Sequence, residues 1–477
     1  MNNYLLTLKE GLQIELKAAI NSIPTSIYET ISSFANTMGG DIYLGIKENN
    51  DGPNEILGIS SFEQYKTNIL NTIHNKTKIS YQAIKESDIT QIVIDNKEII
   101  KIHVNEAPIN IKPVYINDSI NLSYGRDYDG DYVLSMDQIR YYLSNNTTDS
   151  HDMLANSYGF DFDTVNLGSL KNYRKEINTV YPNNIYIELD DYSFLKKIGA
   201  LVKNEKGDFV LTNAAVLMFT SYDNIIKIYP SYLLDYTNCI SGNTKWDNRI
   251  VVDEPTWSGN VFDFYTKTIS DISKNIPSSY YSENGKNIGF SLMIDAMKEA
   301  LCNALSNHSF FLNMPLKISR TKNQISFRNS GKMMVGISKA ILGGISKPRN
   351  KSIISFFRRI GIADRTGSGI PLIFEATKKN SFNDPKLTEN PLPEENTLLI
   401  ISFIPKINNP TISTDKIIEY IDSKGVKGAS INEITSALNL SRTLVSTICN
   451  DLLKTQLIVD NGKKTKGRLF YISLYKQ

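Results

Sequence analysis

The chain has 477 residues, which at about 150 residues per domain predicts three or four domains. Its composition, 41% hydrophobic and 21% charged, excludes disordered and collagen-like proteins. The 52 Lys and Arg residues nearly balance the 50 Asp and Glu residues, so any nucleic-acid site must arise from local clusters of cations. Three cysteines argue against a disulfide framework, and no apolar run approaches the roughly 20 residues that span a membrane. With no signal-peptide core at the N-terminus, we expect a cytoplasmic protein without a membrane segment.

Three turn-rich stretches, at residues 144–152, 278–286 and 408–413, predict boundaries between domains. The resulting segments are 1–145, 146–280, 281–407 and 411–477. Each segment mixes helix-like and strand-like patterns, so we expect an α+β multidomain fold.

Residues 25–46 predict a helix that turns directly into a strand. Ile27, Ile31 and Phe34 recur at helical spacing, and residues 41–46 form a strand-like run. The paired glycines at 39–40 allow the chain to reverse between them, because glycine adopts backbone angles that are closed to other residues. An ordinary helix-to-strand corner is enough to explain this pattern on its own.

Five separated motifs in the first segment resemble the Schlafen AlbA-2 family, and they occur in the family's order. They are Glu10-x4-Glu15-Leu16-Lys17, the string SFANTMGGDIYLGI, Gly58, Ser123-Tyr124-Gly125-Arg126 and Ser135-Met136-Asp137-Gln138-Ile139. The resemblance implies a small α/β nucleic-acid-binding module over residues 1–145. Lys112 and Arg126 are the candidates for phosphate contacts, with solvated surface charge as the alternative.

In the nuclease branch of this family, three carboxylates hold a divalent metal. The resemblance places these carboxylates at Glu10, Glu15 and Glu48, and their hard oxygen atoms would suit Mg²⁺ or Mn²⁺. The family usually has Asp where this chain has Lys47 and Glu48. Nuclease activity is therefore the alternative, and nucleic-acid binding is the leading expectation.

The second segment, residues 146–280, shows no catalytic spacing. Residues 195–202 predict a helix and residues 209–212 a short strand, and Thr212 is the predicted N-cap of the apolar run behind it. We expect a connecting α+β domain. The motif order resembles bacterial AlbA-2 proteins that carry a C-terminal GHKL-type ATP-binding domain and are labelled transcriptional regulators or RecG-like. The chain has no G-x4-G-K-[ST] loop, so nothing predicts a helicase motor.

Residues 290–305 have an amphipathic helical pattern. One face is apolar, and the other carries Asp295, Glu299, Cys302, Asn303 and Ser306. Because Glu299 and Asn303 are four residues apart, their side chains lie one turn apart on the same surface. A carboxylate that orients water beside an amide oxygen that binds Mg²⁺ suits an ATPase. A solvated polar face is the plainer explanation of this spacing taken alone.

Three downstream motifs favour the ATPase interpretation. They are a strand over residues 324–331 that ends in Asn-x-Gly, the string Lys347-Pro348-Arg349-Asn350, and a glycine-rich turn at residues 361–370 that leads into a helix. The free backbone N–H groups of such a turn can receive phosphate. The motif order resembles the GHKL (Bergerat) ATPase fold, which implies an α/β sandwich over residues 281–407 with ATP and Mg²⁺ as cofactors.

The GHKL resemblance assigns roles to individual residues. Glu299 matches the general base, Asn303 the Mg²⁺ ligand, Asn329 and Gly331 the adenine pocket, Arg349 and Asn350 a nucleotide contact, and Gly367, Ser368 and Gly369 the phosphate-binding turn. The chain departs from the pattern at Asn329, where most members have Asp, and at residues 307–310, where His-Arg-Asp-Tyr is typical. The second departure removes a charged pair, so ATP binding is expected while hydrolysis stays open. His308 is expected to be structural.

The last segment, residues 411–477, predicts a winged helix-turn-helix. Ser430 and Ser441 are predicted to cap its second and third helices, and two short strands follow around a basic hairpin. Ten basic residues against six acidic ones concentrate positive charge in this segment. Side chains predicted to meet a major groove are Ser441, Arg442, Thr443 and Ser446, and those predicted to meet phosphates are Lys463, Lys464, Lys466 and Arg468. A dimerisation or protein-binding module is the alternative.

Taken together, these patterns predict an ATP-responsive DNA-binding protein that acts as a transcriptional or defence-associated regulator, with duplex DNA as its partner. Homo-oligomerisation is expected, since GHKL domains often dimerise. An ATP-gated, metal-dependent endonuclease that uses the AlbA-2 carboxylates, with RNA as its substrate, is the alternative. A third hypothesis is a protein-binding scaffold in which the nucleotide is only structural.

Overall fold

The computed structural model describes residues 2–146, 150–242, 245–278, 282–283, 286–363, 367–406, 412–454, 457–463 and 468–472. Contacts divide the chain into two compact units. The first consists of Met1–Ile276, Ile294–Ile373 and Lys386–Ile400, and the second of Pro277–Met293, Phe374–Pro385 and Ile401–Gln477. Helices and strands alternate in both units, which confirms the mixed α+β expectation. Within the described ranges, no helix has the length and apolarity needed to cross a membrane.

A four-stranded sheet packed on a helix forms the N-terminal part of the first unit. Its strand order is Ile14–Lys17, Gly40–Leu44, Lys97–Val104 and Ile89–Ile94, with the first pair parallel and the others antiparallel. The predicted helix is Ile27–Asn36, and its Phe34 is fully buried against the sheet. Gly39 has a φ of +70°, and a Cβ atom there would lie 2.7 Å from the Val104 carbonyl oxygen. The corner therefore requires the glycine that the sequence places there.

The remaining elements of this part surround the sheet. The helices are Asn2–Leu6, Phe62–Ile73 and Met136–Asn145, and the strands are Ile46–Lys47, Glu55–Ile56, Tyr124–Asp127 and Gly130–Val133. Met136–Asn145 is called the closing helix below. Ser135 caps it by accepting a hydrogen bond from the Gln138 backbone N–H, and the Gln138 side chain bonds back to the Ser135 N–H.

The middle of the chain is mainly helical. Its helices are Leu167–Val180, Asp191–Lys197, Asn213–Phe219, Tyr222–Ile228 and Val261–Lys274, and its strands are Leu201–Lys203, Phe209–Leu211, Leu234–Cys239 and Asn248–Val251. Thr212 caps its helix as predicted, with its side chain accepting from the Ala215 N–H at 3.2 Å. The helix predicted at residues 195–202 is present only at its start, because the helix Asp191–Lys197 ends before Gly199, whose φ is +79°. The chain then pairs Leu201–Lys203 with Phe209–Leu211, which matches the strand predicted at residues 209–212.

A six-stranded sheet forms the centre of the first unit. Its order is Asn248–Val251, Leu234–Cys239, Leu316–Thr321, Gln324–Ser330, Asn396–Ser402 and Lys386–Asn390. Leu234–Cys239 runs parallel to Leu316–Thr321, although the two strands lie on opposite sides of the boundary predicted near residue 280. That boundary therefore does not separate two sheets. The correction comes from a long-range strand pairing that local turn signals do not encode.

Four helices accompany this sheet in sequence, namely Gly289–Asn307, Ile337–Leu342, Lys351–Arg359 and Gly369–Lys379, together with the short strands Ser282–Glu283 and Lys286–Asn287. Gly289–Asn307, called the Glu299 helix below, matches the predicted amphipathic helix. Its apolar face is buried as expected, but Cys302 and Ser306, which the sequence places on the polar side, are also fully buried. The helix is thus enclosed on more than one side.

The C-terminal segment has three helices and a strand pair in the predicted order. They are Ile412–Lys424, Ile431–Leu438, Arg442–Lys454, Ile458–Asp460 and Phe470–Ile472. Ser430 and Glu433 form a reciprocal capping box, and Asn439 ends the second helix with a φ of +50°. Val445, Leu452 and Phe470 belong to one small buried core.

Candidate functional site

The Glu299 helix presents a row of polar side chains spaced four residues apart. Asn303 donates from its side-chain nitrogen to Glu299 Oε1 at 3.2 Å, and Asn307 donates to the Asn303 backbone oxygen at 2.9 Å. Glu299 is only 8% exposed. The predicted pairing of Glu299 with Asn303 is therefore present, and Asn307 continues the row by one further turn.

These three side chains line a cavity of about 70 Å³. The other walls come from residues 333–335, which follow the strand Gln324–Ser330, from residues 345–348, and from the turn at residues 367–370. Carboxylate and amide oxygens beside a glycine turn are the chemistry that a Mg²⁺-bound nucleotide requires. The volume lies well below the roughly 300 Å³ typical of ligand pockets, so the cavity as arranged is too small for a whole nucleotide.

Two glycines bring the turn close to the Glu299 helix. A Cβ atom at Gly369 would lie 1.9 Å from Glu299 Oε1, and one at Gly367, whose φ is +69°, would lie 2.6 Å from the Ile345 carbonyl oxygen. The Ser368 carbonyl oxygen accepts from the Leu372 N–H at 2.8 Å and so starts the helix Gly369–Lys379. The structure thus brings Gly369 of the predicted phosphate-binding turn against the carboxylate predicted to act as base, and Gly367 against Ile345 in another wall of the cavity.

The remaining predicted nucleotide residues lie deeper in the protein. Asn329 is buried, with its side chain donating to the Ser330 carbonyl oxygen at 3.4 Å, and it does not line the cavity. Gly331 has a φ of +87° and packs against the Arg349 guanidinium. Asn350 donates to the His308 carbonyl oxygen at 2.9 Å. Asn329, Gly331 and Asn350 therefore do not line the cavity themselves but contact the segments next to it.

Arg349 is an interior anchor in the structure, although the sequence suggested a nucleotide contact. It is 7% exposed, and its Nε donates to the Asn307 carbonyl oxygen at 3.0 Å. Its Nη1 donates to Asn145, and its Nη2 donates to the Lys332 carbonyl oxygen at 2.7 Å and to the Tyr141 hydroxyl at 3.3 Å. Its hydrogen-bonding capacity is thus largely used within the protein.

His308 is structural, as expected. The Ser330 backbone N–H donates to its Nδ1 at 3.3 Å, so Nδ1 is the unprotonated ring nitrogen. Burial, reinforced by the positive charge of Arg349, lowers the pKa of His308 to about 3. A neutral imidazole fixed in this way holds the strand end in place and carries no charge near the cavity.

The three glutamates of the predicted nuclease site lie near one another but are engaged with protein groups. Glu10 accepts from the Leu16 N–H at 3.0 Å, and Glu48 accepts from the Glu10 N–H at 3.2 Å. Glu15 is 3% exposed. Burial, together with the charges of Glu15 and Glu48, raises the pKa of Glu10.

Cations already occupy both oxygens of Glu15. Lys17 Nζ lies 2.5 Å from Oε1, and Arg126 Nη2 lies 2.6 Å from Oε2. Among the described residues, no group of three or more His, Cys, Asp or Glu side chains is placed to hold a metal ion. As arranged, these residues do not fit a divalent cation, because Glu15 would first have to exchange its cationic partners.

The two predicted phosphate contacts in the N-terminal segment are buried. Lys112 is 1% exposed and donates to the Asn36 carbonyl oxygen at 2.6 Å and to Glu106 at 2.8 Å. Arg126 is also 1% exposed and pairs with Asp131 as well as Glu15. Neither the phosphate-contact interpretation nor the surface-charge alternative describes them, because both cations are satisfied within the fold.

In the C-terminal segment, the side chains predicted to meet a DNA groove lie at or near the surface. Ser441, Arg442 and Thr443 are exposed, and Ser446 is half-buried. Lys463 is exposed, whereas Lys464 and Lys466 fall outside the described residues. Arg468 Nη2 lies 2.6 Å from Asp460, so part of the predicted wing charge is already neutralised.

Several cavity residues escaped the sequence analysis. Asn307 could have been found, since it continues the four-residue spacing of Glu299 and Asn303. Met333 and Met334 carry no local signal, because only the folded loops bring them to the cavity.

Three families match parts of the chain. The family described as "Schlafen, AlbA_2" matches residues 10–135, "Domain of unknown function (DUF8451)" matches residues 140–235, and "Putative ATP-dependent DNA helicase recG C-terminal" matches residues 313–395. The chain contains a Schlafen AlbA_2 domain and a RecG-like C-terminal domain. The AlbA-2 resemblance is confirmed, and the pair of domains points to a function related to DNA or nucleotides. No curated protein matches the chain.

Two solved structures are similar to the chain. The DIP2311 protein from Corynebacterium diphtheriae is 15% identical, and its alignment covers 97% of this chain and 92% of that chain with a TM-score of 0.42. The N-terminal domain of a putative ATP-dependent DNA helicase RecG-related protein from Nitrosomonas europaea is 19% identical. Its alignment covers 28% of this chain and 88% of that chain with a TM-score of 0.22. Both scores are too low to support an argument about function.

Proposed function

We propose that the protein is an ATP-responsive DNA-binding regulator, in which a GHKL-type cavity at the Glu299 helix binds ATP. Glu299 and Asn303 supply the oxygen atoms that would hold Mg²⁺ and orient water, and the turn at residues 367–369 lies close enough to receive phosphates. Duplex DNA would bind both the AlbA_2 domain and a winged helix in the C-terminal segment, the latter through Arg442 and the exposed end of its helix.

One observation carries this proposal: the loops that line the cavity also hold the N-terminal segment. Lys332 lies next to the cavity residue Met333, and its Nζ pairs with Glu106 at 2.8 Å and donates to the Thr37 carbonyl oxygen at 3.3 Å. Arg349 follows the cavity residues 345–348 and bonds to Asn145 of the closing helix. Any movement of these loops that admits a nucleotide therefore acts on the AlbA_2 domain.

The contacts continue from Lys332 into the interior of that domain. Thr37, whose carbonyl oxygen accepts from Lys332, accepts through its side chain from the Arg126 N–H at 3.1 Å. Arg126 in turn holds Glu15. A continuous chain of hydrogen bonds thus joins the cavity wall to the carboxylates of the AlbA_2 domain, which gives ATP a route to change how this domain binds nucleic acid.

The proposal predicts that Lys332→Met uncouples ATP from DNA. In the native protein, Mg·ATP should change the dissociation constant for duplex DNA by about tenfold, within the range usual for coupled sites. The variant loses the Glu106 and Thr37 contacts, so we expect a change of less than about twofold while ATP affinity stays near native. Fluorescence anisotropy of labelled duplex DNA, titrated with and without ATP, measures both states.

Lys322→Met is the matched control, because Lys322 lies on an exposed turn between two strands of the same sheet. It should retain the full ATP response. An unchanged ATP response in Lys332→Met would contradict the coupling route. If ATP does not change the DNA affinity of the native protein, the proposed function itself is contradicted.

The proposal also predicts that Gly369→Ala weakens ATP binding without unfolding the protein. The new methyl group must displace the Glu299 carboxylate, which is the flexible end of a side chain rather than backbone. We expect ATP affinity to fall about tenfold or more, equivalent to about 1.4 kcal/mol. Gly336→Ala is the control, since a Cβ atom added at Gly336 would meet no heavy atom within 4 Å. Equal ATP affinity in the two variants would remove Glu299 from the nucleotide site.

The same DNA assay tests the alternative of a metal-dependent nuclease. Shortened DNA or RNA that disappears in Glu10→Gln would establish cleavage at the AlbA_2 carboxylates. Glutamine keeps an oxygen that can accept from the Leu16 N–H, so this variant is less disruptive than a change at Glu15, which holds Arg126.

A further inference from the structure

A second, larger cavity adjoins the one at the Glu299 helix. It measures about 430 Å³, within the range of small-molecule pockets, and it shares Met334, Ile354 and residues 346–348 with the first cavity. Its other side is formed by Ser144 and Asn145 at the end of the closing helix. The segment 346–348 is thus a common wall, with a different ligand space on each side.

Positive charge dominates the second cavity. Four cationic side chains line it, namely Lys347, Arg349, Lys351 and Arg358, and none of its described lining residues is acidic. The buried carboxylate of Asp152 is used by the helix Lys351–Arg359, because it accepts from the Ser352 and Ile353 N–H groups at 2.7 and 3.0 Å. A pocket with this composition favours an anion.

The cationic side chains of this cavity include one that is held in place and one that is exposed, and this combination suits the binding of an anion. Arg349 is nine-tenths buried and held by four hydrogen bonds, so its charge sits at a fixed position and no further ordering is needed. Lys347 is exposed and makes no hydrogen bond or ion pair with the rest of the described chain. Hydroxyl groups also line the cavity, from Ser144 on the side of the closing helix and from Ser346 on the common wall. A fixed positive charge beside adaptable donors suits a phosphate group, whose oxygen atoms face several directions.

We propose that this cavity is a second ligand site, which binds a small phosphate-bearing compound separately from ATP. The proposal goes beyond the ATP response, because the cavity has its own walls from the closing helix. A ligand there would contact Asn145 and Arg349, which join the AlbA_2 side of the unit to the cavity loops. Such a compound would act as an effector of the same coupling.

Inorganic pyrophosphate is the probe, and isothermal titration calorimetry on the full chain is the measurement. The titration is done twice, without nucleotide and with a saturating non-hydrolysable ATP analogue, with sulfate at equal ionic strength as the reference for charge alone. We expect one equivalent of pyrophosphate to bind in both titrations and more tightly than sulfate. The titration without nucleotide decides the proposal even if ATP does not bind at all.

Two variants test the assignment to this cavity. Lys351→Glu reverses a lining charge at the start of a helix, and Ser144→Phe fills the space. We expect each variant to weaken pyrophosphate about tenfold or more, whereas Lys322→Glu, the same charge change on an exposed turn, stays within twofold. Weakening in either variant that keeps its native unfolding midpoint supports the site. Absent binding, displacement by the ATP analogue, or native affinity in both variants would overturn it.

Discussion

Replacing Glu395 with alanine is expected to lower the free energy of unfolding by about 3–4 kcal/mol, since each buried donor left without an acceptor costs about 1–3 kcal/mol. Glu395 is 1% exposed and accepts from the hydroxyls of Tyr141 and Tyr142 and from the Lys332 N–H. Burial raises the pKa of both tyrosines, so their hydroxyls stay protonated and need an acceptor. Alanine removes that acceptor from three donors.

Equilibrium denaturation by urea measures this loss. Glu394→Ala is the matched control, because the neighbouring glutamate is exposed and its loss should cost less than about 0.5 kcal/mol. Glu395→Gln keeps one acceptor oxygen and should fall between the two. A Glu395→Ala protein as stable as the Glu394→Ala protein would show that the tyrosines find other acceptors, such as the Asn36 carbonyl oxygen near Tyr142.

This contact also explains why the cavity loops and the closing helix form one structure. Glu395 belongs to the turn before the strand Asn396–Ser402, while both tyrosines belong to the closing helix. The side chain joins two parts of the chain about 250 residues apart in sequence. Loss of Glu395 should therefore weaken the ATP response of DNA binding as well as stability.

Sequence analysis was most successful where the signal is local. The row formed by Glu299 and Asn303 follows from helical spacing, and the caps at Thr212 and Ser430 follow from a hydroxyl side chain directly before a helical run. The turns at Gly39 and Gly369 were also predicted from the sequence. Both positions favour glycine in the structure, because a Cβ atom there would collide with its neighbours. Helical spacing put Glu299 and Asn303 on one face of the helix, but the resemblance to the GHKL fold was needed to connect them with the turn at residues 367–369.

The failures arise where partners are distant in sequence. Lys112 and Arg126 looked like surface cations, yet Arg126 meets Glu15, 111 positions away, and both cations are buried. The strand pairing that crosses the predicted boundary near residue 280 is equally non-local. The residues near a side chain in sequence show its charge but not the distant group that neutralises that charge. The burial of an ion pair such as Arg126 and Glu15 therefore cannot be predicted from a single sequence.

Arg126→Met is accordingly expected to destabilise the protein by about 3–5 kcal/mol, the usual cost of removing one partner from a buried ion pair. The change leaves Glu15 with Lys17 alone, and it removes the donors to the Gly11 and Ile14 carbonyl oxygens at 3.1 and 3.2 Å. Arg140→Met is the control, since Arg140 is exposed and its pairing with Asp137 should contribute less than about 0.5 kcal/mol.

A double-mutant cycle separates the structural role of Arg126 from the phosphate contact suggested by its sequence motif. If Arg126 serves Glu15, adding Glu15→Gln to Arg126→Met should cost less than the sum of the single changes, because the second change relieves the stranded carboxylate. If Arg126 instead contacts DNA, the single variant would keep native stability, weaken DNA binding and reduce its salt dependence by about one phosphate contact. The buried, doubly paired guanidinium favours the first outcome, because a cation held by Glu15 and Asp131 has little charge left to offer a phosphate.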